Sequence, residues 1–192
     1  MVFVVLTAIC CAANRDPNPI CMGVPMGMTL AGAGSRTANP LDLLEELAST
    51  QGWPHMRAAD DEFVTEPSRR WCAYKLHFIW QKDLDALHLH CSIEIKVPEA
   101  KRRDINDLLA SINERLWLGH FEVAADDPMP TFRHTLLTRG QFAPGVEQLE
   151  DLVEVALDEC DRYYPAFQFV LWAGHPPDEA ISAALIDTVG EA

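Results

Sequence analysis

The stretch from Ile105 to Phe121, which reads INDLLASINERLWLGHF, decides the fold. Its apolar residues recur with the spacing of one helical face at Ile105, Leu108, Leu109, Ile112 and Leu116. Gly119 can adopt the left-handed conformation that ends a helix. The pattern therefore predicts a buried amphipathic helix that begins at Pro98, ends at Gly119 and passes directly into a strand. Neither this stretch nor the rest of the sequence contains a nucleophile elbow, a metal-ligand motif or a phosphate-binding loop.

Two segments before this helix alternate apolar and polar residues with a period of two. The first runs from Trp71 to Trp80 and the second from Leu87 to Val97. Such alternation predicts an antiparallel pair of strands with one face in the core and the other largely in water. The register that keeps both apolar sets on one face pairs odd with even residue numbers, so His77 should lie opposite His88 or His90.

This register gathers His77, His88 and His90 on the polar face of the pair. Neutral imidazoles at tetrahedral spacing are common ligands of zinc, so a zinc site is one hypothesis. The simpler interpretation is three solvated histidines on an open sheet face, and we favour it. We therefore predict no catalytic, cofactor-binding or metal-binding residues.

Capping residues and periodicity predict the remaining elements. Asn39 as N-cap and Pro40 at the first helical position indicate a helix that Gly52 ends. Further elements are expected as short strands at Trp53–Ala58, Phe63–Thr65, His120–Ala125 and Met129–Thr138, a long helix at Pro144–Trp172 kinked by Pro165, and a short helix from Pro177. The order α-β-β-β-β-α-β-β-α-α predicts an α+β fold in which helices cover one face of an antiparallel sheet.

The charge balance argues against nucleic acid and anionic membranes as partners. The 192 residues include 15 basic and 29 acidic ones, for a formal net charge of −14. This field repels phosphate-rich surfaces, and the basic run Lys101-Arg102-Arg103 is more simply a solvated helical face. Acidic residues concentrate on the outer face of the long C-terminal helix, namely Glu147, Glu150, Asp151, Glu154, Asp158 and Glu159. That face is a candidate dock for a basic partner, and a plain solvated face is the simpler interpretation.

Cysteine usage indicates a reducing, cytoplasmic compartment. The six cysteines are Cys10, Cys11, Cys21, Cys72, Cys91 and Cys160. No pair has the two-residue spacing of a metal knuckle or a dithiol motif, so we predict reduced thiols, the last three of them in the core.

The N-terminal stretch, residues 1–13, is nearly all apolar. It is too short to span a bilayer and lacks the basic residue that precedes the apolar core of a signal peptide, so no stable membrane insertion is expected. We predict that residues 1–38 form a disordered extension and that residues 39–192 form the domain. A start near Met26 or Met28 and a weak export signal are the alternatives for the extension.

Several motifs in the domain resemble one known family. They are Ile112–Glu122 (INERLWLGHFE), Phe132-Arg133, Tyr163–Phe169 (YYPAFQF) and Pro177–Ile181 (PDEAI). In this order they resemble the YbjN family, whose members are commonly labelled bacterial sensory transduction regulators, and the resemblance covers about 39–192. It implies a fold like that of type III secretion chaperones, small acidic dimers that hold segments of other proteins. It supplies no active site.

These observations favour a non-catalytic regulatory or chaperone-like module that binds a protein partner in a bacterial signalling or stress pathway. Dimerisation would use Trp117, Leu118 or the sheet edge, because the inner stripe of the preceding helix is already occupied and leaves the indole available. The alternative is that Trp117 caps the domain's own core. A small-molecule or metal sensor that uses the polar sheet face or the sheet–helix groove is the competing hypothesis.

An enzyme is disfavoured. Carboxylates occur close together at Glu94 and Glu99 and at Asp60, Asp61 and Glu62. These positions fall in turns and on strand surfaces, which rarely desolvate one acid of a pair as catalysis requires.

Overall fold

This computed structural model describes residues 39–138 and 144–187 of the chain. Four α-helices and six strands lie within these residues. In chain order the elements are α1 Pro40–Gln51, β1 His55–Ala59, β2 Glu62–Thr65, β3 Lys75–Gln81, β4 Ala86–Ser92, α2 Arg102–Asn113, β5 His120–Glu122, β6 Thr131–Leu137, α3 Val146–Gln168 and α4 Pro177–Asp187. The predicted element order and the α+β class are confirmed. The predicted extension at residues 1–38, with Cys10, Cys11 and Cys21, lies outside the described residues.

The strands form one antiparallel sheet in the order β1-β2-β3-β4-β6-β5. Strand β4 pairs with β6, so the short strand β5 lies at the edge. All four helices contribute side chains to one hydrophobic core with one face of the sheet. Phe121 of β5 lies at its aromatic centre, with ring centroids 5.4 Å from Phe132, 6.1 Å from Tyr163 and 5.8 Å from Phe167.

The predicted register of the central hairpin is confirmed. His77 of β3 lies opposite His90 of β4, and Ile79 lies opposite His88. Burial alternates along both strands, with one set of side chains in the core and the other partly exposed. The predicted wet face is therefore present.

Both strands of this hairpin are shorter than the alternation predicted. Strand β3 begins at Lys75 rather than Trp71, because the preceding residues form only an isolated bridge between Ser68 and Ala73. Strand β4 ends at Ser92, although the buried–exposed alternation continues to Val97. Beyond Ser92 the chain makes only single hydrogen bonds to a loop that contains prolines, which cannot donate a hydrogen bond from their own nitrogen.

Helix α2 buries four of the five predicted stripe residues but ends at Asn113 rather than at Gly119, so Leu116 lies beyond the helix and is only partly buried. The Asn113 side chain donates to the Phe121 carbonyl at 3.0 Å and accepts from the Phe121 N–H at 2.7 Å, which ties the helix end to β5. Gly119 has a φ of 66°, and a Cβ there would lie 2.3 Å from Cζ of Phe132. The glycine thus permits a close approach to β6 and does not act as a helix stop.

The first helix begins and ends as predicted, and the last one begins where predicted. Asn39 caps α1 by accepting a hydrogen bond from the Leu41 N–H at 3.1 Å, and Gly52 follows with a φ of 69°. Helix α4 begins at Pro177.

The sequence predicted a kink at Pro165. In the structure, helix α3 continues through Pro165 and ends at Gln168. Proline has no N–H to donate to the carbonyl of Asp161, and the indole N–H of Trp71 donates to that carbonyl instead, at 3.0 Å. The irregular part comes later, as a wide π-turn at Phe169–Ala173 that ends at Gly174. A side chain from another segment thus satisfies the carbonyl that the proline leaves free.

Candidate functional site

The face of the sheet that points away from the helices carries a polar row across the strands. Pairing aligns His77, His90, Arg133 and His120 on β3, β4, β6 and β5. A parallel row holds Lys75, Ser92, Thr131 and Glu122. The strand order creates each row from residues that are up to 56 positions apart in sequence.

Short polar contacts connect neighbouring members of the rows. Arg133 donates from Nε to Nε2 of His90 at 3.1 Å and from Nη1 to Oε1 of Glu122 at 2.8 Å. The imidazole of His120 lies 3.8 Å from the Glu122 carboxylate, and the rings of His77 and His90 meet edge to face at 6.0 Å. The open face therefore carries an ordered network, with Arg133 at its centre.

Burial and the Arg133 guanidinium determine the charge of His90. Desolvation, and then the charge of Arg133, lower the pKa of His90 to about 4. His90 is therefore neutral near pH 7, and its Nε2 atom accepts the hydrogen bond from Arg133.

The predicted histidine cluster is only partly assembled. His88 is engaged elsewhere, with Nδ1 2.9 Å from the Thr135 hydroxyl and Nε2 2.9 Å from Oε1 of Gln81. Across residues 39–138 and 144–187, no three histidine, cysteine or carboxylate side chains converge to hold a metal ion. The described residues therefore offer no set of side chains that could bind a zinc ion.

The polar rows form the floor of a groove with a volume of about 380 Å³. One wall is the loop 123–130, which contributes Asp126, Asp127 and Met129. Hydrogen bonds from the backbone N–H groups of Ile93 and Val97 to loop carbonyls fix this wall at 2.9 Å and 3.0 Å. The groove is polar and open, unlike the deep apolar pocket that would indicate a buried small-molecule site.

Trp117 is 76 % exposed, which excludes the alternative that it caps the core of the domain. Trp172, at the end of the π-turn, is 69 % exposed, and Ile186 of α4 is 74 % exposed. Helix α2, which ends four residues before Trp117, packs against both the π-turn and α4. Trp117, Trp172 and Ile186 are called the exposed apolar set below.

The acidic face of α3 is partly neutralised within the domain. Arg69 binds Glu154 at 2.8 Å and Asp158 at 3.2 Å. Glu159, predicted on the outer face, is 4 % exposed and pairs with Arg162 at 3.0 Å. The prediction that Glu159 belongs to the solvated face is therefore wrong, because its helical position turns it toward the core, and burial raises the pKa of its carboxyl. Glu147, Glu150 and Asp151 remain exposed.

The basic run at the start of α2 is used within the fold. Lys101 pairs with Asp104 at 3.0 Å. Arg102 donates to the carbonyls of Val123 and Ala124 at 2.8 Å and 2.6 Å. These contacts engage two of the three cations that could have formed a basic patch.

Two of the three described cysteines lie in the core as predicted. Cys91 and Cys160 are buried free thiols with their sulfur atoms 3.4 Å apart, whereas Cys72 is a free thiol that is only partly buried. Of the carboxylates considered for catalysis, Asp60, Asp61, Glu94 and Glu99 are exposed and Glu62 is partly exposed.

A family model identifies the class of protein to which this α+β domain corresponds. The model of YbjN, described as "Putative bacterial sensory transduction regulator", matches residues 40–169. The match spans more than half of the chain, so the chain belongs to the YbjN family.

Two solved structures are similar to this chain in fold. One is the crystal structure of YbjN from E. coli, which is 10% identical in sequence. The match covers 62% of this chain and 84% of the YbjN chain, with a TM-score of 0.46. The other is the crystal structure of the ExsC–ExsE complex, in which the matched chain is 14% identical in sequence. That match covers 67% of this chain and 92% of the matched chain, with a TM-score of 0.44. Both scores are low, so the two structures do not bear on function here. No curated protein matches the chain.

The described helices also bear on the membrane question. None of those within residues 39–138 and 144–187 is long and apolar enough to cross a bilayer.

Proposed function

We propose that this protein is a non-catalytic regulator in a bacterial signalling or stress pathway, and that it acts in the cytoplasm by binding another protein. Membership of a family described as sensory transduction regulators supports the regulatory role. We propose further that residues 39–192 are the functional domain and that it forms a homodimer.

The exposure of Trp117 is the observation that carries this proposal. A fully exposed tryptophan offers about 150–250 Å² of side-chain area, and such residues are enriched among those that dominate binding energies. A stable interface buries about 800 Å² on each partner, so Trp117 and Trp172 would supply a large part of its centre. The π-turn and α4, which carry Trp172 and Ile186, pack against each other and against α2, the helix that precedes Trp117, which supports a single interface.

Trp117→Ala tests the role of the indole in assembly, and Met56→Ala is the matched control. Met56 is 61 % exposed and lies on β1, at the opposite edge of the sheet from β5. Light scattering on the full chain should show a dimer for the wild type and for Met56→Ala at about 20 μM, and a monomer for Trp117→Ala. A monomeric wild type, or a Trp117→Ala dimer as stable as that of the wild type, would contradict the dimer.

Isolation from the native cells at low salt tests the partner. We expect one recurrent protein in stoichiometric amount with the wild type and with Met56→Ala, and its loss with Trp117→Ala. A preparation that lacks any stoichiometric partner would contradict the protein-binding role.

A sensor that uses the polar sheet face remains the second candidate. The preformed groove beside His77 and His90 is the observation that favours it. Stabilisation of the purified protein by a metabolite would support this function, and no thermal shift with any metabolite would contradict it.

A further inference from the structure

The groove on the open sheet face contains two charges that the protein itself does not neutralise. Arg133 and Glu122 pair with each other at 2.8 Å. The side chain of Lys75, by contrast, has no ion-pair or hydrogen-bond partner among the described residues, and neither does the side chain of Asp126. Lys75 lies on β3, in the floor of the groove, and Asp126 lies on the loop that forms one wall.

The wall that carries Asp126 is preorganised. Val97 and Ile93 donate backbone hydrogen bonds to the loop carbonyls of Pro128 and Pro130. Arg102 holds the start of the loop through two carbonyls, and Oδ1 of Asp127 accepts a hydrogen bond from the Met129 N–H at 3.0 Å. Hydrogen bonds on both sides of Asp126 therefore hold this wall in place before any ligand enters.

Hydroxyl and imidazole groups that can form hydrogen bonds line the floor between the two charges. Ser92 and Thr131 are joined by a hydrogen bond of 3.0 Å, and His77 and His90 lie beside them. A simple anion in this groove would meet the carboxylates of Glu122, Asp126 and Asp127. A simple cation would meet the charges of Lys75 and Arg133. Only a ligand that carries both charges is complementary to both sides.

We propose that this groove binds a zwitterion of the amino-acid or short-peptide class, with its carboxylate at Lys75 and its ammonium group at Asp126. The volume of about 380 Å³ lies within the usual range of small-ligand sites, about 300–1,000 Å³. The ligand carboxylate would accept a charge-assisted hydrogen bond from the Lys75 ammonium group, whose side chain is otherwise unpaired. The ligand ammonium group would donate a charge-assisted hydrogen bond to the Asp126 carboxylate. This proposal does not depend on the exposed apolar set or on dimer formation.

The test uses the full chain with the twenty protein amino acids and glycylglycine as probes, titrated by calorimetry and followed by ¹H–¹⁵N spectra. We expect at least one probe to bind with a Kd below about 1 mM. Lys75→Met and Asp126→Asn should each weaken that binding at least about tenfold. The N-acetylated and the carboxyl-amidated forms of the same probe should lose affinity by a similar factor.

Lys82→Met and Asp83→Asn are the matched controls, because they remove the same charges at the other end of β3, about 20 Å from Lys75. Both should bind the probe as the wild type does. The proposal is overturned if no probe binds at about 10 mM. It is equally overturned if Lys75→Met and Asp126→Asn leave affinity unchanged, or if the blocked probes bind as tightly as the free one.

Discussion

Replacing Gly119 with alanine tests the close approach between the turn before β5 and strand β6. The backbone at Gly119 has a φ of 66°, which costs an alanine about 1–2 kcal/mol. The added Cβ would also lie 2.3 Å from Cζ of Phe132 and 2.8 Å from the carbonyl oxygen of Arg133. Relief of such overpacking against a buried ring and a strand backbone costs about a further 1–3 kcal/mol. We therefore expect Gly119→Ala to lower the free energy of unfolding by about 2–5 kcal/mol.

Gly52→Ala is the matched control for the backbone conformation alone. Gly52 has a φ of 69°, and a Cβ there would meet no atom within 4 Å, so about 1–2 kcal/mol is expected. Urea unfolding followed by tryptophan fluorescence and far-ultraviolet circular dichroism measures both variants. The difference between the two variants isolates the contact with Phe132. Equal losses for Gly119→Ala and Gly52→Ala would refute the argument from close packing.

Three further substitutions test the core and the open face. Tyr74→Phe removes a hydroxyl that donates to Asp161 at 2.6 Å and should cost about 1.5–3 kcal/mol in urea unfolding; an unchanged midpoint would contradict this role. Phe121→Ala removes a ring that touches three other aromatic rings and should cost about 3–5 kcal/mol, so a loss under about 1 kcal/mol would count against its central place in the core. The pKa of His90, about 4, is lower than that of an unfolded histidine, so the unfolded chain binds more protons below pH 6.5 and the wild type loses stability as the pH falls. The stability difference between wild type and His90→Gln should therefore shrink by about 1 kcal/mol between pH 7 and pH 5, after allowance for solvent screening beside Arg133, and a pH-independent difference would show that His90 titrates normally.

The sequence predicted the element order and the central register because these depend on local periodicity. The alternation on either side of His77 and His90 allows one register only, since a slip of one residue would expose every core side chain of a strand. The capping residue Asn39 likewise acts within its own first turn. Both features depend on near neighbours in the chain.

The ends of elements were less predictable because residues distant in sequence determine them. Helix α2 stops at Asn113, whose amide binds β5 at Phe121. Helix α3 tolerates Pro165 because Trp71 satisfies the carbonyl that the proline leaves free. Neither partner is visible in the periodicity of the helix concerned.

The groove could not be predicted from the sequence because it depends on the strand order. Lys75 and Asp126 share a groove because β6, and not β5, pairs with β4. A sequence signal for Arg133 was present, since Thr131, Arg133 and Thr135 alternate with Phe132 along β6 and place the guanidinium on the polar face. The exposure of Trp117 was one of two interpretations that the sequence left open, because helical periodicity does not show on which side of the domain a residue beyond the helix end lies.

Arg102 links the two sides of the sheet. It belongs to helix α2, in the layer that covers the core, yet its guanidinium holds the loop that borders the groove on the opposite face. A shift of that loop that keeps both hydrogen bonds must move the Arg102 side chain, which is anchored in the first turn of α2. Coupling free energies between two binding events are reciprocal, so any effect of groove occupancy on binding at α2 equals the effect of binding at α2 on groove affinity. A spectroscopic label on the exposed side of α2 would thus report occupancy of a groove that it cannot touch.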